Sequence, residues 1–123
     1  MVKNMRYIII FGITLIISLL LVFYPRNYLM KYKDEININY NEIASDNLWT
    51  YEISNENLKL KSNVNNLWTF TSNKNGKVTL TFYYDKNENN YKYKIVYKFK
   101  IKNNIITWLD GEAFGLIDFP NPY

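Results

Sequence analysis

The chain has 123 residues with no cysteine and no histidine, 48% of its residues are apolar, and its formal net charge is +4. This length normally builds one domain, which excludes a multidomain enzyme. Without cysteine or histidine the chain lacks disulfides, thiol nucleophiles, zinc–thiolate sites and the commonest general base, so we expect a non-catalytic protein with no metal and no cofactor.

The positive charge is concentrated near the N-terminus. Residues 1–31 hold four Lys or Arg and no acid, whereas residues 32–123 hold eleven Lys and eleven Asp or Glu. The sequence pI of about 9.1 therefore comes from the N-terminal segment. A nucleic-acid partner is not expected, because it would need basic residues concentrated on the folded part.

The first predicted element is an uncharged run over residues 7–24, in which 15 of 18 residues are apolar. A helix of that length reaches about 27 Å, close to the ~30 Å hydrocarbon core of a bilayer. Lys3 and Arg6 would also suit a cleaved signal peptide, but the run exceeds a typical signal core and no small-x-small cleavage site follows it. We therefore predict a transmembrane signal anchor at 7–24, after a cytoplasmic tail at 1–6 and before a juxtamembrane linker at 25–34.

The short tail before the anchor favours an N-terminus inside the cell and a domain outside the membrane. Lys and Arg flank both ends of the run, so their count alone favours neither orientation. Nineteen Asn and fifteen Ile against two Ala are typical of an AT-rich genome, and no Asn lies in an Asn-x-Ser/Thr acceptor site. These features predict a single-pass protein of a bacterial cell envelope.

Beyond the linker, apolar and polar residues alternate with period two, which predicts strands with one buried face. Turn-forming residues separate the runs at Asn75-Gly76, at 85–90 and at Asn103-Asn104. This spacing predicts an all-β domain at 35–110, a small antiparallel β-sandwich of about seven strands. Its predicted core residues are Trp49, Tyr51, Trp68, Phe70, Phe82 and Phe99.

The last long run alternates lysine with apolar residues from Lys92 to Lys102. Such a stripe could bind phosphate groups. It is better explained as a solvated strand face, neutralised by acids on neighbouring strands, on which lysine discourages pairing at a sheet edge.

The segment 111–123 is apolar, contains two prolines and does not alternate. Two interpretations stay open for it. It either folds back over the sandwich or projects as an apolar peptide for a partner.

The loop at 85–90 has a partial calcium-loop pattern in Asp85, Asn87 and Asn89. A calcium loop also needs glycine at its sixth position and an acid at its twelfth, and both are missing. We predict a polar hairpin loop with no metal site, and no catalytic residue anywhere in the chain.

Three motifs in the predicted domain give the chain a resemblance to a known family. They are Trp-x-Tyr-x-Ile from Trp49, Trp-Thr-Phe-Thr from Trp68 and Gly-Lys-Val-Thr-Leu-Thr-Phe from Gly76. Over residues 35–103 the chain resembles the chagasin-type inhibitors of papain-like cysteine peptidases. The resemblance implies an immunoglobulin-like β-sandwich, in which three loops at one end enter the peptidase cleft.

The resemblance also indicates which positions would form those three loops. In none of them do the residue types match the family motifs, which are Asn-Pro-Thr-Thr-Gly, Gly-x-Gly and Arg-Pro-Trp. The equivalent residues are Ile43, Ala44, Ser45 and Asp46 in the first loop, Asn65 and Asn66 in the second, and Asp85, Lys86 and Asn87 in the third.

Together these features predict a membrane-anchored, extracytoplasmic β-sandwich that binds another protein of the bacterial envelope and catalyses nothing. One alternative is a chagasin-like inhibitor whose partner is a cysteine peptidase. A further alternative, suggested by the small size and single anchor, is an immunity protein against a toxin.

Overall fold

A computed structural model describes residues 12–15, 29–116 and 118–123. The predicted cytoplasmic tail lies outside these residues, and so does the predicted anchor except for a helical turn at 12–15. Within the described part of the chain, no helix combines the length and the apolar character needed to cross a membrane.

The described chain forms two antiparallel sheets, which confirms the predicted all-β, two-sheet architecture. One sheet has five strands in the order β1-β8-β7-β6-β3, and the other has three in the order β2-β5-β4. The strands are β1 Lys31–Lys33, β2 Glu35–Asn39, β3 Trp49–Ile53, β4 Leu58–Val64, β5 Leu67–Ser72, β6 Gly76–Tyr84, β7 Tyr93–Lys102 and β8 Ile105–Phe114.

The core lies between the two sheets and is largely aromatic. Phe82 of β6 is fully buried, and its ring contacts Trp68 and Phe70 of the opposite sheet edge-on at 5.4 and 5.9 Å. Edge-on aromatic pairs of this kind add about 0.5–1.5 kcal/mol each beyond the area that they bury. Five of the six predicted core residues are buried, and Tyr51 is half-buried against them.

Strand β1 lies inside the segment predicted to be a linker, so that boundary was wrong. Tyr32 points inward and its hydroxyl donates to the carbonyl of Pro122 at 2.9 Å, while β1 pairs with β8 at the sheet edge. Asp34, with a φ of 64°, then carries the chain into the second sheet. Three residues are too few to show a period, which is why the alternation did not predict this strand.

Strand β8 continues to Phe114, beyond the predicted boundary at residue 110. The strand has no space for a side chain at Gly111, because an added Cβ would lie 2.6 Å from the Phe119 ring. Phe119 packs edge-on against Tyr97 at 5.5 Å, and Tyr123 exchanges backbone hydrogen bonds with Asn37 of β2 at 2.8 and 2.9 Å. Of the two open interpretations, residues 118–123 therefore follow the first and fold back over the sandwich.

Strand β7 is central, because β6 and β8 pair with its two sides. Its lysines lie on the outer face, as predicted, with Lys98, Lys100 and Lys102 exposed. The edge-protection explanation was wrong, since a strand hydrogen-bonded on both sides has no free edge to protect.

Candidate functional site

Three connections meet at one end of the sandwich, which we call the loop end: residues 40–48, the turn 65–66 and residues 85–92. The Asn66 side-chain amide donates to the Asp46 carbonyl at 2.8 Å. The Asp85 backbone N–H donates to the Leu48 carbonyl at 3.0 Å. The fold thus brings together the three segments that contain the nine residues predicted from the family resemblance.

Side chains from the core fix the first loop. The Trp49 indole N–H donates to the Ala44 carbonyl at 3.1 Å, and the Asn66 amide reaches the same oxygen at 3.2 Å. The backbone N–H groups of Ile43 and Ala44 both donate to the Tyr40 carbonyl at 3.1 Å. Because the loop backbone is held by buried groups, its shape is set before any partner arrives.

The second connection is a two-residue hairpin turn whose residues differ in role. Asn65 and Asn66 have φ values of 51° and 62°, the left-handed pair that a type I′ hairpin requires and that asparagine tolerates. Asn65 is exposed, whereas Asn66 is 5% exposed. Asn66 is buried because its side chain joins the turn to the first loop.

A tyrosine–carboxylate pair holds the far side of the first loop. The Tyr84 hydroxyl donates to the Asp46 carboxylate at 2.5 Å. This hydrogen bond, together with burial, raises the pKa of Tyr84 to about 12. Tyr84 is therefore protonated at neutral pH and serves as a hydrogen-bond donor that positions Asp46.

The third connection is polar and exposed. Lys86 pairs with Glu52 of β3 at 3.0 Å, and that hydrogen bond raises the Lys86 pKa. Asn87 and Asn90 exchange backbone hydrogen bonds at 2.8 and 2.9 Å, which closes the hairpin loop. Within the described ranges, no group of three or more acidic side chains could hold a metal ion.

Beside the loop end lies a cluster that the sequence prediction missed, the aromatic patch of Tyr83, Tyr91 and Phe114 with Lys86 and Lys94. Tyr83 and Tyr91 have ring centroids 5.6 Å apart. The Lys94 ammonium lies 5.6–6.0 Å from all three rings, and that of Lys86 lies 4.3 Å from the Tyr83 ring. Tyr91 and Phe114 are 40% and 45% exposed.

One sequence feature could have indicated the aromatic patch. Tyr83 interrupts the alternation, because Phe82 and Tyr84 occupy the inward positions on either side and leave its ring on the outer face. Tyr91 lies in the third connection, before β7 begins at Tyr93, and Phe114 lies in the segment 111–123, which shows no alternation. Their proximity depends on pairing between β7 and β8, which aligns Lys94 with Phe114.

A shallow groove of about 360 Å³ runs between the first loop and the C-terminal segment. Its lining includes the apolar residues Ile43 and Phe119 and the acids Glu42 and Asp118. Ile43, one of the nine predicted residues, thus lines this groove, whereas no residue of the third loop does.

Comparison with known proteins identified no relative of this chain. No protein-family model, curated protein or solved structure matches the chain. The chagasin-type resemblance therefore stays a prediction, and support for a function comes from the geometry of the loop end and the aromatic patch.

Proposed function

We propose that this chain is a membrane-anchored, extracytoplasmic β-sandwich that binds another protein of a bacterial envelope and is not an enzyme. The observation that carries the proposal is the aromatic patch, which sets three partly exposed rings and two lysines beside a preformed loop end.

The composition of the aromatic patch suits protein recognition. Tyrosine and phenylalanine bury large areas while few rotatable bonds are frozen, and aromatic residues are enriched at interface centres. The Lys94 ammonium lies within about 6 Å of all three ring centroids, so the aromatic patch carries a positive charge at its centre. A partner with an apolar anchor next to a carboxylate would complement this surface.

The rigidity of the loop end supports the same proposal. Binding is weakened when loops must be ordered on association, and preformed loops reduce that cost. Here Trp49, Asn66 and Tyr84 already hold the first loop through side-chain hydrogen bonds.

The strand order supports an immunoglobulin-like scaffold. In that fold strands A, B, E and D form one sheet and strands C, F and G the other. The orders β2-β5-β4 and β3-β6-β7 follow this arrangement, with β8 and β1 extending the second sheet. Recognition through connections at one end of the sandwich is common in this architecture.

The tether is supported by sequence. The uncharged run at 7–24 has the length of a membrane span. Leu29 and Met30, just before β1, are 43% and 57% exposed. Recovery of the full chain with membranes after an alkaline carbonate wash would test the tether, and release into the soluble fraction would contradict it.

Site-specific photo-crosslinking tests the binding surface. A photoreactive phenylalanine at Phe114 of the full-length chain, in the membranes of its own host, should yield a discrete crosslinked product. The matched control is Lys59, which is exposed and lies on the opposite sheet, near the end of β4 away from the loop end. The substitution Tyr91→Ala, made with the Phe114 probe in place, should remove most of the product; equal crosslinking from both positions would contradict the proposal.

A second candidate, the chagasin-like inhibitor, is favoured by the meeting of the three loops at one end. It predicts that the full chain in detergent inhibits a papain-like peptidase at micromolar concentration. It also predicts that Asn66→Gly, which loosens the first loop, weakens the inhibition more than Asn65→Gly does. No inhibition at that concentration would remove this candidate and leave the first proposal standing.

A further inference from the structure

The outer face of the five-stranded sheet carries a concentration of positive charge that the balanced domain total conceals. We call it the lysine face. Every one of its lysines is exposed, and no carboxylate of the described residues lies within 4 Å of any of their ammonium groups. The members are Lys31, Lys33, Lys77, Lys100 and Lys102.

Strand register places these lysines in two rows across the sheet. In the first row Lys31 pairs with Thr107, Thr107 with Lys100, and Lys100 with Lys77. In the second, Ile105 pairs with both Lys33 and Lys102. With strands about 4.8 Å apart, the first row spans about 14 Å of backbone.

One contact on the lysine face is unfavourable in the isolated domain. Lys77 and Lys100 stand directly opposite each other on β6 and β7, and like charges in that position are destabilising. By contrast Lys98, one pair further along β7, stands opposite Asp110. The five members of the lysine face lie in the part of the sheet nearest the β7–β8 turn, where a polyanion would relieve the repulsion between Lys77 and Lys100.

The lysine face also has an apolar floor. A groove of about 500 Å³ is lined by the apolar residues Leu29, Ile105 and Leu109 and by five polar residues, which include Lys31 and Lys100. Apolar side chains surrounded by lysines are typical of surfaces that lie at the boundary between lipid headgroups and water. The groove contains neither arginine nor an aromatic ring, the residues expected for nucleic-acid recognition.

The lysine face adjoins the point where the chain enters the sandwich. Leu29 lines the groove itself, and the Met30 carbonyl accepts a hydrogen bond from Trp108 of β8 at 2.9 Å. The run at 7–24 ends a few residues before this point in the sequence. From this placement and its charge we infer that the lysine face docks the domain onto a bilayer surface that contains anionic phospholipid.

The inference rests on the tether of the proposed function, and one experiment separates the two. The chain has no cysteine, so Thr79→Cys gives a single labelling site on the outer face, beside Lys77 and level with Lys98. Ser62→Cys on the other sheet is the matched control. Each full-length variant is labelled with a fluorophore and reconstituted into vesicles that contain a headgroup quencher.

The label at Thr79 should be quenched in vesicles of equal parts phosphatidylglycerol and phosphatidylcholine, and the label at Ser62 should not. Quenching should disappear in phosphatidylcholine alone and in high salt, since added salt shortens the screening length from about 10 Å at 0.1 M to about 3 Å at 1 M. Added to the Thr79 variant, Lys100→Gln should lower the ratio of docked to undocked chains roughly fivefold, whereas the exposed control Lys59→Gln should leave it unchanged.

Chains that stay with the vesicles while the Thr79 label is unquenched would overturn the docking and leave the tether intact. Chains that do not stay with the vesicles at all would contradict the tether. Quenching that is equal with and without phosphatidylglycerol, or equal effects of Lys100→Gln and Lys59→Gln, would also overturn the docking. So would binding of soluble polyphosphate that prevents quenching in anionic vesicles, because it would make a soluble polyanion the preferred occupant.

Discussion

The loop end and the lysine face belong to the same sandwich but are constructed differently. At the loop end, single buried side chains such as Asn66 hold backbone groups of a neighbouring loop. On the lysine face, Lys77, Lys100 and Lys102 project from regular strands with no carboxylate partner among the described residues. The first surface depends on particular contacts, and the second only on strand register.

This difference has a general consequence for substitutions. A change at the loop end should alter stability and binding together, because the same hydrogen bonds stabilise the domain and hold the loops in the shape that a partner would bind. A change on the lysine face should alter binding to a charged surface while the domain stays folded. The following predictions test this contrast in order of decreasing effect.

The largest effect is expected where the C-terminal segment supports the loop end. Phe119→Ala removes a half-buried ring that packs on Tyr97 and lines the groove beside Ile43. We expect a loss of about 2–3 kcal/mol in the free energy of unfolding, below the range for fully buried phenylalanine. Urea unfolding of the full chain in detergent, monitored by tryptophan fluorescence, measures this loss.

The control is Phe114→Ala, at an exposed ring, which should cost less than about 1 kcal/mol. Similar losses for both variants would show that residues 118–123 do not cover and stabilise the sandwich.

The hairpin turn gives a matched pair of substitutions at the loop end. Asn66→Gly keeps the left-handed backbone but removes the hydrogen bonds to Ala44 and Asp46, so we expect a loss of about 2 kcal/mol. Asn65→Gly relieves the same backbone constraint and removes only an exposed side chain, so stability should change by less than about 0.5 kcal/mol. Equal effects on the urea midpoint would mean that the turn conformation, not the side chain, holds the first loop.

Alkaline pH should weaken the domain through its buried tyrosines. Burial raises the pKa of both Tyr40 and Tyr97 above the ordinary value of tyrosine, while the Asp46 hydrogen bond raises the pKa of Tyr84 to about 12. The stabilisation from these three tyrosines is fully present below about pH 10, the pKa of tyrosine in the unfolded chain. It is lost as pH rises towards 12, because the tyrosines of the unfolded chain ionise first.

The measurement is urea unfolding at pH 8 and at pH 11. Stability should fall over this interval, and the fall should be shallower in Tyr84→Phe than in the exposed-ring control Tyr91→Phe. A flat profile in the unsubstituted chain would contradict the expected tyrosine burial.

The smallest effect is expected on the lysine face. Lys77→Thr removes the repulsion with Lys100 and places a favourable strand residue on an outer face, so stability should rise by about 0.5 kcal/mol at low salt. Lys59→Thr, opposite Thr71 on the other sheet, is the control and should gain less. If added salt left the difference between these two variants unchanged, repulsion would not be its cause.

Much of the fold could be predicted from the amino-acid sequence, because it depends on local patterns. Alternation identified the strands that supply Trp68, Phe82 and Phe99, and Asn103-Asn104 was correctly predicted to close a hairpin, with φ values of 51° and 61°. Both signals lie within a few neighbouring residues, so no knowledge of the tertiary structure was needed.

The loop end and the lysine face depend on pairing between residues that are far apart in the sequence, which no local pattern contains. Asp46 and Tyr84 are 38 positions apart, and the Tyr32–Pro122 contact spans 90. The same holds for the lysine face, since Lys31, Lys77 and Lys100 come from three strands and become neighbours only through register. The balanced number of charges over residues 32–123 therefore could not reveal that lysines without a carboxylate partner among the described residues lie together on one face.

Asp34 allows one alternating pattern of residues to form two strands, β1 and β2, that lie in different sheets. Tyr32, Ile36 and Ile38 share one phase of alternation, and a straight strand would place Asp34 inward with them. Its left-handed backbone instead leaves Asp34 exposed, with its N–H bonded to Asn104 and its carbonyl to Ser72. Asp34 thus allows one alternating pattern to supply inward side chains to both sheets. An insertion of one residue there would shift the alternation, so that Tyr32 would face solvent and Lys31 and Lys33 would face the core.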